Sequence, residues 1–327
     1  MTLQAEAGLQ TVEVDACPAC GSAHQASTIE NVRDWYFDCV AGEWSFTECG
    51  DCGSLYLNPR LTTDDLPKAY SRYYTHTAKP ANQSGNRDGL YKKLVNSITN
   101  ARFGTSLTPS FELLSQIKPV GHLTPTRIAQ RYRYFPRLKP GARILDVGCG
   151  SGGFLRLANL SGWSAFGVDF DDIAVQEAKA EGLSVVHGSV DAARTFGHKF
   201  DAISLSHVIE HVPDIQGTLA VCFEILEDQG FIYLEFPNPQ CDSRRKFGRY
   251  WRGLEAPRHL CIPSKTAIQN ILQNIGFHGI SFVDNHGETR GVDAASAEVA
   301  DAHGHAIEGF TRISPEEPSF VRVTGWK

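Results

Sequence analysis

The fold of this chain is decided by the segment Ala142-Arg-Ile-Leu-Asp-Val-Gly-Cys-Gly-Ser-Gly-Gly-Phe-Leu155. Its apolar start predicts a buried strand, its glycines predict a break in the backbone, and its apolar end predicts the beginning of a helix. Glycines let the backbone approach a ligand closely, and the first turn of a helix offers unpaired N–H groups. About 20 residues later, Ala165-Phe-Gly-Val-Asp169 predicts a second strand that ends in a carboxylate, which can accept hydrogen bonds from ribose hydroxyls. This order predicts a nucleotide-binding α/β domain.

Two nucleotide cofactors fit this glycine pattern. Gly148, Gly150 and Gly153 satisfy the GxGxxG spacing of dinucleotide-binding domains, so an NAD(P) site is one interpretation. Asp146 argues against it, because dinucleotide-binding strands usually carry an apolar residue two positions before the first glycine. The segments that follow also differ from those of a dehydrogenase. We therefore expect S-adenosylmethionine (SAM) as the cofactor.

The central region resembles the class I SAM-dependent methyltransferases, and DVGCGSGG (146–153) is their glycine-loop motif. The resemblance covers about residues 130–285 and continues through a third strand pattern at 183–190 and a fifth at 230–237. Between them, FDAISLSHVIEHVPD (200–214) is similar to the fourth strand and following turn of the subgroup that contains the ubiquinone-biosynthesis O-methyltransferases. The resemblance implies a Rossmann-like sheet of seven strands, with a final antiparallel strand at Phe320–Val323.

The resemblance also implies which residues line the SAM pocket. Arg131 or Arg133, just before the first strand, would pair with the methionine carboxylate, although a solvated helix face also explains both arginines. Many family members have an acidic residue after the third strand, where this chain has Ser189 with Asp191 nearby. The expected cofactor-binding residues are Asp146, Gly148, Cys149, Gly150, Asp169, Phe170, Ser189, Val190, Ser206 and Arg131.

Two CxxC pairs precede this domain. Cys17 and Cys20 form one pair, Cys49 and Cys52 form the other, and each pair is followed by a glycine that permits a tight turn. Four thiolates at this spacing complete the closed tetrahedral site that structural zinc prefers. A redox-active CxxC is the rival interpretation, but no strand–helix context of the thioredoxin type surrounds either pair. Aromatic runs at 35–37 and 44–46 predict short strands between the pairs, as in a zinc ribbon.

Length and charge predict the organisation. A chain of 327 residues suggests more than one folded unit, and we expect a zinc ribbon at 15–58, a helical connector or cap at 60–138 and the SAM-dependent methyltransferase domain at 139–327. Residues 81–140 carry a net charge of +8 between acidic flanks of −6 and −8, which indicates an anionic contact or a solvated helical face. No secretory signal or membrane-spanning segment is evident, so we expect a cytoplasmic protein.

Several candidates for proton transfer follow the fourth strand. His207, Glu210 and His211 stand at i, i+3 and i+4, so they would share one face if the segment is helical. They are interpreted as a general base with His207 nearest to the methyl group, as ligands of an assisting divalent cation, or as groups that only orient the turn. His259 is a second candidate for the base.

A basic and aromatic segment, residues 243–259, follows the fifth strand at the face where α/β sheets bind ligands. Arginines beside aromatic rings suit a diphosphate and a sugar, and they also suit a membrane surface that carries a lipid-linked substrate. A solvated basic helix is the third interpretation. The expected acceptor-binding residues are Arg244, Arg245, Arg249, Tyr250, Trp251 and Arg252.

The resemblance and the ribbon together predict the reaction. Bacterial methyltransferases that join a CPxCG…CxxCG ribbon, an NPR turn and this core are often linked to sugar and surface-glycan biosynthesis, so we expect O-methylation of a hydroxyl on a sugar, surface glycan or related small molecule. An RNA methyltransferase is the first alternative, but the acidic catalytic domain and the lack of an NPPY- or PCS-like signature argue against nucleic acid. A SAM-binding docking protein without catalysis is the second; the intact glycine loop and Asp169 argue against it.

Overall fold

The computed structural model describes residues 9–70, 89–116, 125–305 and 317–327. Its first strands and helices are β1 to β5 (Thr11–Val12, Gln25–Val32, Trp44–Cys49, Leu55–Leu57 and Arg60–Leu61) and α1 to α3 (Gly89–Phe103, Glu112–Gln116 and Thr126–Arg131), with a 3-10 turn at Leu66–Tyr70. The later strands are β6 to β13 (Arg143–Val147, Ser164–Asp169, Ser184–His187, Phe200–Ser206, Leu226–Pro237, Cys261–Ile262, His278–Phe282 and Phe320–Trp326). The later helices are α4 to α9 (Gly153–Leu160, Asp172–Ala180, Ile215–Ile225, Asp242–Phe247, Lys265–Ile275 and Thr289–Ala302).

The large sheet confirms the predicted fold class. Its seven strands lie in the order β12-β13-β10-β9-β6-β7-β8, and β13 is antiparallel to both of its neighbours while β10, β9, β6, β7 and β8 are parallel. The strand order reverses between β6 and β9, which places the crevice for a ligand at the carboxyl ends of those two strands. Helices α6 and α8 pack together on this sheet, and Ser264 caps α8 as expected by accepting a hydrogen bond from the Ala267 N–H.

A second sheet combines strands from two distant parts of the sequence. Its order is β11-β4-β3-β2, so three strands come from the cysteine-rich region and the fourth, Cys261–Ile262, comes from the part of the chain that also forms the large sheet. Ser264 extends the connection, because its hydroxyl donates to the Cys52 carbonyl at 2.5 Å and its N–H donates to the Ser54 hydroxyl. The cysteine-rich region therefore packs directly against the part of the chain that forms the large sheet.

One predicted strand is wrong. Residues 35–37 form a turn, whereas the strand that pairs with β3 is Gln25–Val32. The reason lies in Asp34, whose carboxylate accepts hydrogen bonds from the N–H groups of Phe37 and Cys39 and so bends the chain. The aromatic residues of the turn anchor the ribbon instead: Trp35 and Tyr36 donate to the carbonyls of Arg249 and Tyr250.

A buried ion pair fixes the same interface. The Arg258 guanidinium donates two hydrogen bonds of 2.7 Å to the two carboxylate oxygens of Asp34, and both side chains are excluded from solvent. The guanidinium also donates to the carbonyl of Ala69 in the connector and lies 4.5 Å from the centre of the Phe37 ring. Arg258 thus contacts the ribbon and the connector, while its own backbone belongs to the part of the chain that forms the large sheet.

The connector is helical in the parts that the structure describes. Helices α1, α2 and α3 and the turn Leu66–Tyr70 lie within 60–138, while its residues 71–88 and 117–124 lie outside the described residues. Among the described residues, no helix is both long enough and apolar enough to cross a bilayer.

We predict that Asp34→Ala lowers the free energy of unfolding by about 3–5 kcal/mol, because the buried Arg258 guanidinium loses both of its hydrogen bonds to a carboxylate and keeps only the carboxylate of Glu255 at 3.7 Å. Urea or thermal unfolding of the purified chain measures this. The matched control is Glu43→Ala, which breaks the exposed Arg33–Glu43 pair in the same ribbon and should cost no more than about 1 kcal/mol. Equal losses in the two variants would contradict the structural role of the buried pair.

Candidate active site

The glycine loop lies where β6 ends and α4 begins. Gly148 and Gly150 adopt φ angles of +70° and +51°, which favour glycine. A side chain at position 148 would also meet Val208, since an added Cβ would lie 2.4 Å from its methyl carbon. The glycine loop is therefore packed directly against the segment that follows β9, and this contact brings His207 to the cofactor side of the sheet.

Two buried carboxylates lie at the strand ends next to the loop. Asp169 accepts hydrogen bonds from the N–H groups of Gly150 at 2.7 Å and Asp171 at 2.9 Å, and Asp146 accepts one from the Ser204 hydroxyl at 2.5 Å. Burial raises the pKa of Asp146 to about 6 and also raises the pKa of Asp169. Asp169 thus orients the loop and lies at the end of β7, as the sequence predicted.

The other residues expected to hold the cofactor lie at neighbouring strand ends. Phe170 follows β7 with 53% of its surface exposed, and its ring lies 5.0 Å from that of Tyr70. Ser189 and Val190 follow β8; Val190 is buried, and the Ser189 hydroxyl turns toward Asp191. Cys149 is buried in the loop. These positions agree with an adenosine site at the ends of β7 and β8.

A cavity of about 900 Å³ opens beside the loop. Its wall contains Gly153 and Phe154 from α4, Ser206 and His207 from the end of β9, and several residues of the connector. Arg131 and Arg133 both line this cavity, so both remain candidates to pair with the methionine carboxylate. The Arg133 guanidinium lies over the Phe154 ring at 4.9 Å and 4.0 Å from Glu235.

Sequence reasoning missed a buried charged network at the floor of this cavity. Glu235 on β10 pairs with Arg322 on β13 at 2.6 Å and accepts a hydrogen bond from the Tyr233 hydroxyl at 2.7 Å. Burial alone would raise the pKa of Glu235, but the charges of Arg322, His207 and Arg133 and the hydrogen bond from Tyr233 together outweigh burial, and the pKa is lowered. Arg322 also pairs with Glu288 at the cavity rim. The sequence did carry a signal for this network: Glu235 and Arg322 are charged residues within otherwise apolar strand patterns.

A second cavity, of about 380 Å³, shares His207 with the first. Its wall also contains His211 and His259, with Trp251 and Arg252 from the basic segment. The segment after β9 is a turn and not a helix, and His207 adopts a φ of +56°. His207 and Glu210 nevertheless meet, with Nδ1 and Oε1 3.3 Å apart.

The histidines differ in their electrostatics. Burial would lower the pKa of His207, but its hydrogen bond to Glu210 and the charges of Glu210, Glu235 and Glu288 outweigh burial, and the pKa is raised. Burial lowers the pKa of His211, and it lowers that of His259 far more, with a further contribution from His211. His207, with 44% of its side chain exposed, is therefore the strongest base of the three and the one that borders both cavities.

Only part of the basic segment lines the second cavity. Arg244 pairs with Glu48 of the ribbon and Arg245 with Asp242. The backbone carbonyls of Arg249 and of the buried Tyr250 accept hydrogen bonds from Trp35 and Tyr36 of the ribbon. Only Trp251 and Arg252 of the predicted set line the second cavity, and Arg252 there pairs with Glu255. Contacts with the ribbon therefore occupy Arg244 and the carbonyls of Arg249 and Tyr250.

The four cysteines of the CxxC pairs converge. Their sulfurs lie within 4.8 Å of one another, with 3.7 Å between Cys17 and Cys52 and 3.5 Å between Cys20 and Cys49. Gly21 and Gly53 adopt φ angles of +77° and +73° and donate to the carbonyls of Cys17 and Cys49, which closes each knuckle. Four converging cysteines are a donor set that a structural zinc ion can use.

Comparison with known proteins agrees with this geometry. Residues 121–281 match the family model described as a methyltransferase domain. The ubiquinone biosynthesis O-methyltransferase of Rhizobium etli is 29% identical over 149 residues, which cover 41% of this chain and 60% of that relative. The corresponding protein of Nitrosospira multiformis is 31% identical over 131 residues, which cover 38% of this chain and 54% of that relative. The matches thus span less than two thirds of these relatives.

Solved structures give a weaker likeness. A SAM-dependent methyltransferase from Archaeoglobus fulgidus superposes with a TM-score of 0.44 and 19% identity, covering 63% of this chain and 96% of that one. One from Mesorhizobium loti has the same TM-score with 17% identity, covering 62% of this chain and 98% of that one. The family match, the strand order and the glycine loop together identify a class I SAM-dependent methyltransferase domain in this chain.

Proposed function

We propose that this chain binds SAM along the glycine loop, with its methionine end in the larger cavity, and transfers its methyl group to a hydroxyl of a small molecule in the smaller cavity. The observation that carries the proposal is His207, which belongs to the walls of both cavities. Methyl transfer is an in-line displacement, so the acceptor oxygen, the methyl group and the leaving sulfur must be aligned. Two cavities that meet at one basic side chain supply that arrangement.

The residues around the glycine loop fit SAM. Positive φ angles at Gly148 and Gly150 leave the backbone open to close approach, and the Asp169 carboxylate keeps acceptor capacity for ribose hydroxyls beyond its two backbone partners. Arg131 and Arg133 offer positive charge for the methionine carboxylate. SAM, when bound, supplies an electrophilic methyl group. The residues of this chain orient SAM and the acceptor relative to each other.

His207 is proposed as the general base. A hydroxyl must lose its proton as its oxygen attacks, and a histidine with a raised pKa is a stronger acceptor for that proton. The nearby carboxylates of Glu210 and Glu235 stabilise the imidazolium that results. His259 and His211 are weaker candidates, since burial lowers the pKa of both.

The acceptor is proposed as a compact hydroxylated molecule. A cavity of about 380 Å³ with Trp251 and Phe320 in its wall suits a sugar or a phenolic ring. The resemblance of the ribbon architecture motivates a sugar or surface glycan as acceptor, whereas the curated relatives carry the name of ubiquinone biosynthesis O-methyltransferases. Because Arg244, Arg245 and Arg252 are paired with carboxylates, an anionic or lipid-linked acceptor and a membrane contact gain no support from this segment.

Transfer of labelled methyl from SAM tests the reaction class. We expect label in a panel of nucleotide sugars, glycans or catechols, and none in structured RNA. Label in RNA alone would favour the nucleic-acid alternative. Tight SAM binding with no transfer to any acceptor would favour a docking protein without catalysis.

We predict that Asp169→Ala weakens SAM binding by about 1.5–3 kcal/mol, because charge-assisted hydrogen bonds to the ribose are lost. Calorimetry on the purified chain measures the affinity. Asp172→Ala, in the first turn of α5 only three positions away, is the control and should bind SAM normally. Since burial raises the Asp169 pKa, wild-type affinity should also fall as the pH drops and this carboxylate takes a proton. Unchanged affinity in Asp169→Ala would place the ribose elsewhere.

We propose that the ribbon cysteines hold one structural zinc ion, and we predict that Cys49→Ser loses it. Serine cannot supply the thiolate that zinc prefers, and a closed four-ligand site depends on each donor. Metal analysis by mass spectrometry gives the zinc content. Cys39→Ser is the control, because Cys39 lies between the two pairs but is not one of the four converging cysteines. Zinc retained in Cys49→Ser would refute the ligand set.

We predict that His207→Ala lowers kcat about 10²–10⁴-fold while SAM affinity stays nearly unchanged. In the wild type, kcat/KM should rise with pH through an apparent pKa above 6.5, because the raised pKa keeps His207 protonated and inactive below it. That step should vanish in His207→Ala and persist in His278→Ala, which alters an exposed histidine of β12. A pH profile that survives in His207→Ala would assign the base elsewhere.

A further inference from the structure

The connector places three arginines in the wall of the larger cavity. Arg127 and Arg131 lie four positions apart on α3, so their side chains share one face of this helix. Arg133 follows α3 and lines the same cavity. The positive charge of residues 81–140, for which the sequence allowed an anionic contact or a solvated helical face, thus reaches a ligand cavity.

Contacts around α3 turn the arginine face toward the cavity. Ile128 and Ala129, on the opposite face of the helix, pack against the hydrophobic core. The amide of the buried Asn285, which comes from the loop after β12, donates a hydrogen bond of 3.1 Å to Gln130 Oε1. The helix is therefore held from two sides, although none of its residues is fully buried.

The carboxylates that line this cavity are already paired. Glu235 and Glu288 both contact the Arg322 guanidinium, which is excluded from solvent. In the part of the chain that the structure describes, neither Arg127 nor Arg131 has an ion-pair partner. The cavity therefore has an excess of positive charge.

SAM does not balance this charge. Its sulfonium and amino groups are positive and only its methionine carboxylate is negative, so bound SAM makes the cavity more positive. That carboxylate can pair with one of the arginines and leaves the others without an anion. Like charges four positions apart on a helix also repel each other, and an anion between Arg127 and Arg131 removes this repulsion.

We propose that Arg127 and Arg131 bind a phosphate or diphosphate group of the acceptor. Guanidinium groups bind phosphate oxygens through pairs of parallel hydrogen bonds. A cavity of about 900 Å³ can hold a drug-sized ligand, which is larger than the methionine end of SAM. Resting on the proposed function, the acceptor extends from the smaller cavity past His207, which lines both cavities, to the arginines of α3. The substrate class is then a phosphorylated hydroxy compound.

Calorimetry with inorganic pyrophosphate tests this site in the full chain. The chain is first saturated with S-adenosylhomocysteine, which fills the methionine subsite and leaves the rest of the cavity open. We expect pyrophosphate to bind the saturated chain at low ionic strength and to bind more weakly as salt is added, because exposed charges are screened. Pyrophosphate that binds only without S-adenosylhomocysteine assigns the arginines to the methionine carboxylate and overturns the proposal. A chain that does not bind S-adenosylhomocysteine contradicts the proposed function instead.

Charge variants identify the ligands. Arg127→Gln should weaken pyrophosphate binding about 3- to 5-fold, as expected for an exposed ion pair, and the double variant with Arg131→Gln at least about 10-fold. Arg127→Lys should recover part of the affinity, because it keeps the charge but not the paired hydrogen bonds. The control is Lys92→Gln, which removes an exposed charge of the same basic region outside the cavity wall and should bind normally.

Two results would show that α3 has only a solvated basic face. They are a wild-type chain that does not bind pyrophosphate and equal losses of affinity in Lys92→Gln and Arg127→Gln. The affinity of Arg127→Gln for S-adenosylhomocysteine, measured on the same sample, verifies that this variant is folded.

Three further probes identify the source of the phosphate. Uridine diphosphate that binds more tightly than pyrophosphate indicates a nucleotide-linked acceptor, and farnesyl diphosphate that does so indicates a lipid-linked one. Equal affinities indicate a simple phosphorylated acceptor, and in each case Arg127→Gln should weaken binding. A short RNA that binds more tightly than all of these and loses affinity in Arg127→Gln assigns the arginines to nucleic acid and overturns the proposal.

Discussion

The buried ion pair between Asp34 and Arg258 is the constraint on which the acceptor side of this molecule depends. Two opposite charges, both excluded from water, are tolerable only when each satisfies the other in good geometry. Here the two hydrogen bonds are parallel and of equal length, and the guanidinium also reaches the connector through Ala69. Three parts of the chain that are far apart in sequence are thereby held at one point.

What this point controls is the placement of the histidines. The carbonyl of Arg258 lies 3.1 Å from Nδ1 of His211, and the next residue is His259. Arg258, the partner of Asp34, is thus adjacent in sequence to His259, which lines the smaller cavity. The strand Cys261–Ile262 and the bonds of Ser264 to Cys52 and Ser54 continue the same attachment. We infer that the cysteine-rich region supports the acceptor cavity as a structural brace.

The two halves of the site obey different physical rules. The cofactor half is local: glycines with positive φ, a strand end and a helix start lie within a few residues of one another, and Asp169 fastens them through two N–H groups. The acceptor half is assembled from the turn after β9, the loop before β11 and helix α9. Its chemistry therefore depends on the whole packed body, which allows the acceptor to differ among chains that share a cofactor site.

The sequence by itself determined the class of fold, the cofactor loop and the four cysteines. These follow from short-range patterns, because alternation of apolar residues, glycine runs and CxxC spacing act within one or two elements. Cytoplasmic placement and the sugar acceptor stay predictions.

Only the tertiary structure decided three matters. It placed residues 35–37 in a turn governed by Asp34, committed most of the arginines of 243–259 to pairing and ribbon packing, and brought His259 beside Glu210 and His211. Asp34 bends its own turn locally but is paired there with Arg258, and Arg244 and His259 likewise meet partners far away in sequence. The pairing energy of buried charges and lone pairs depends on distance and solvent exclusion, which no local pattern contains.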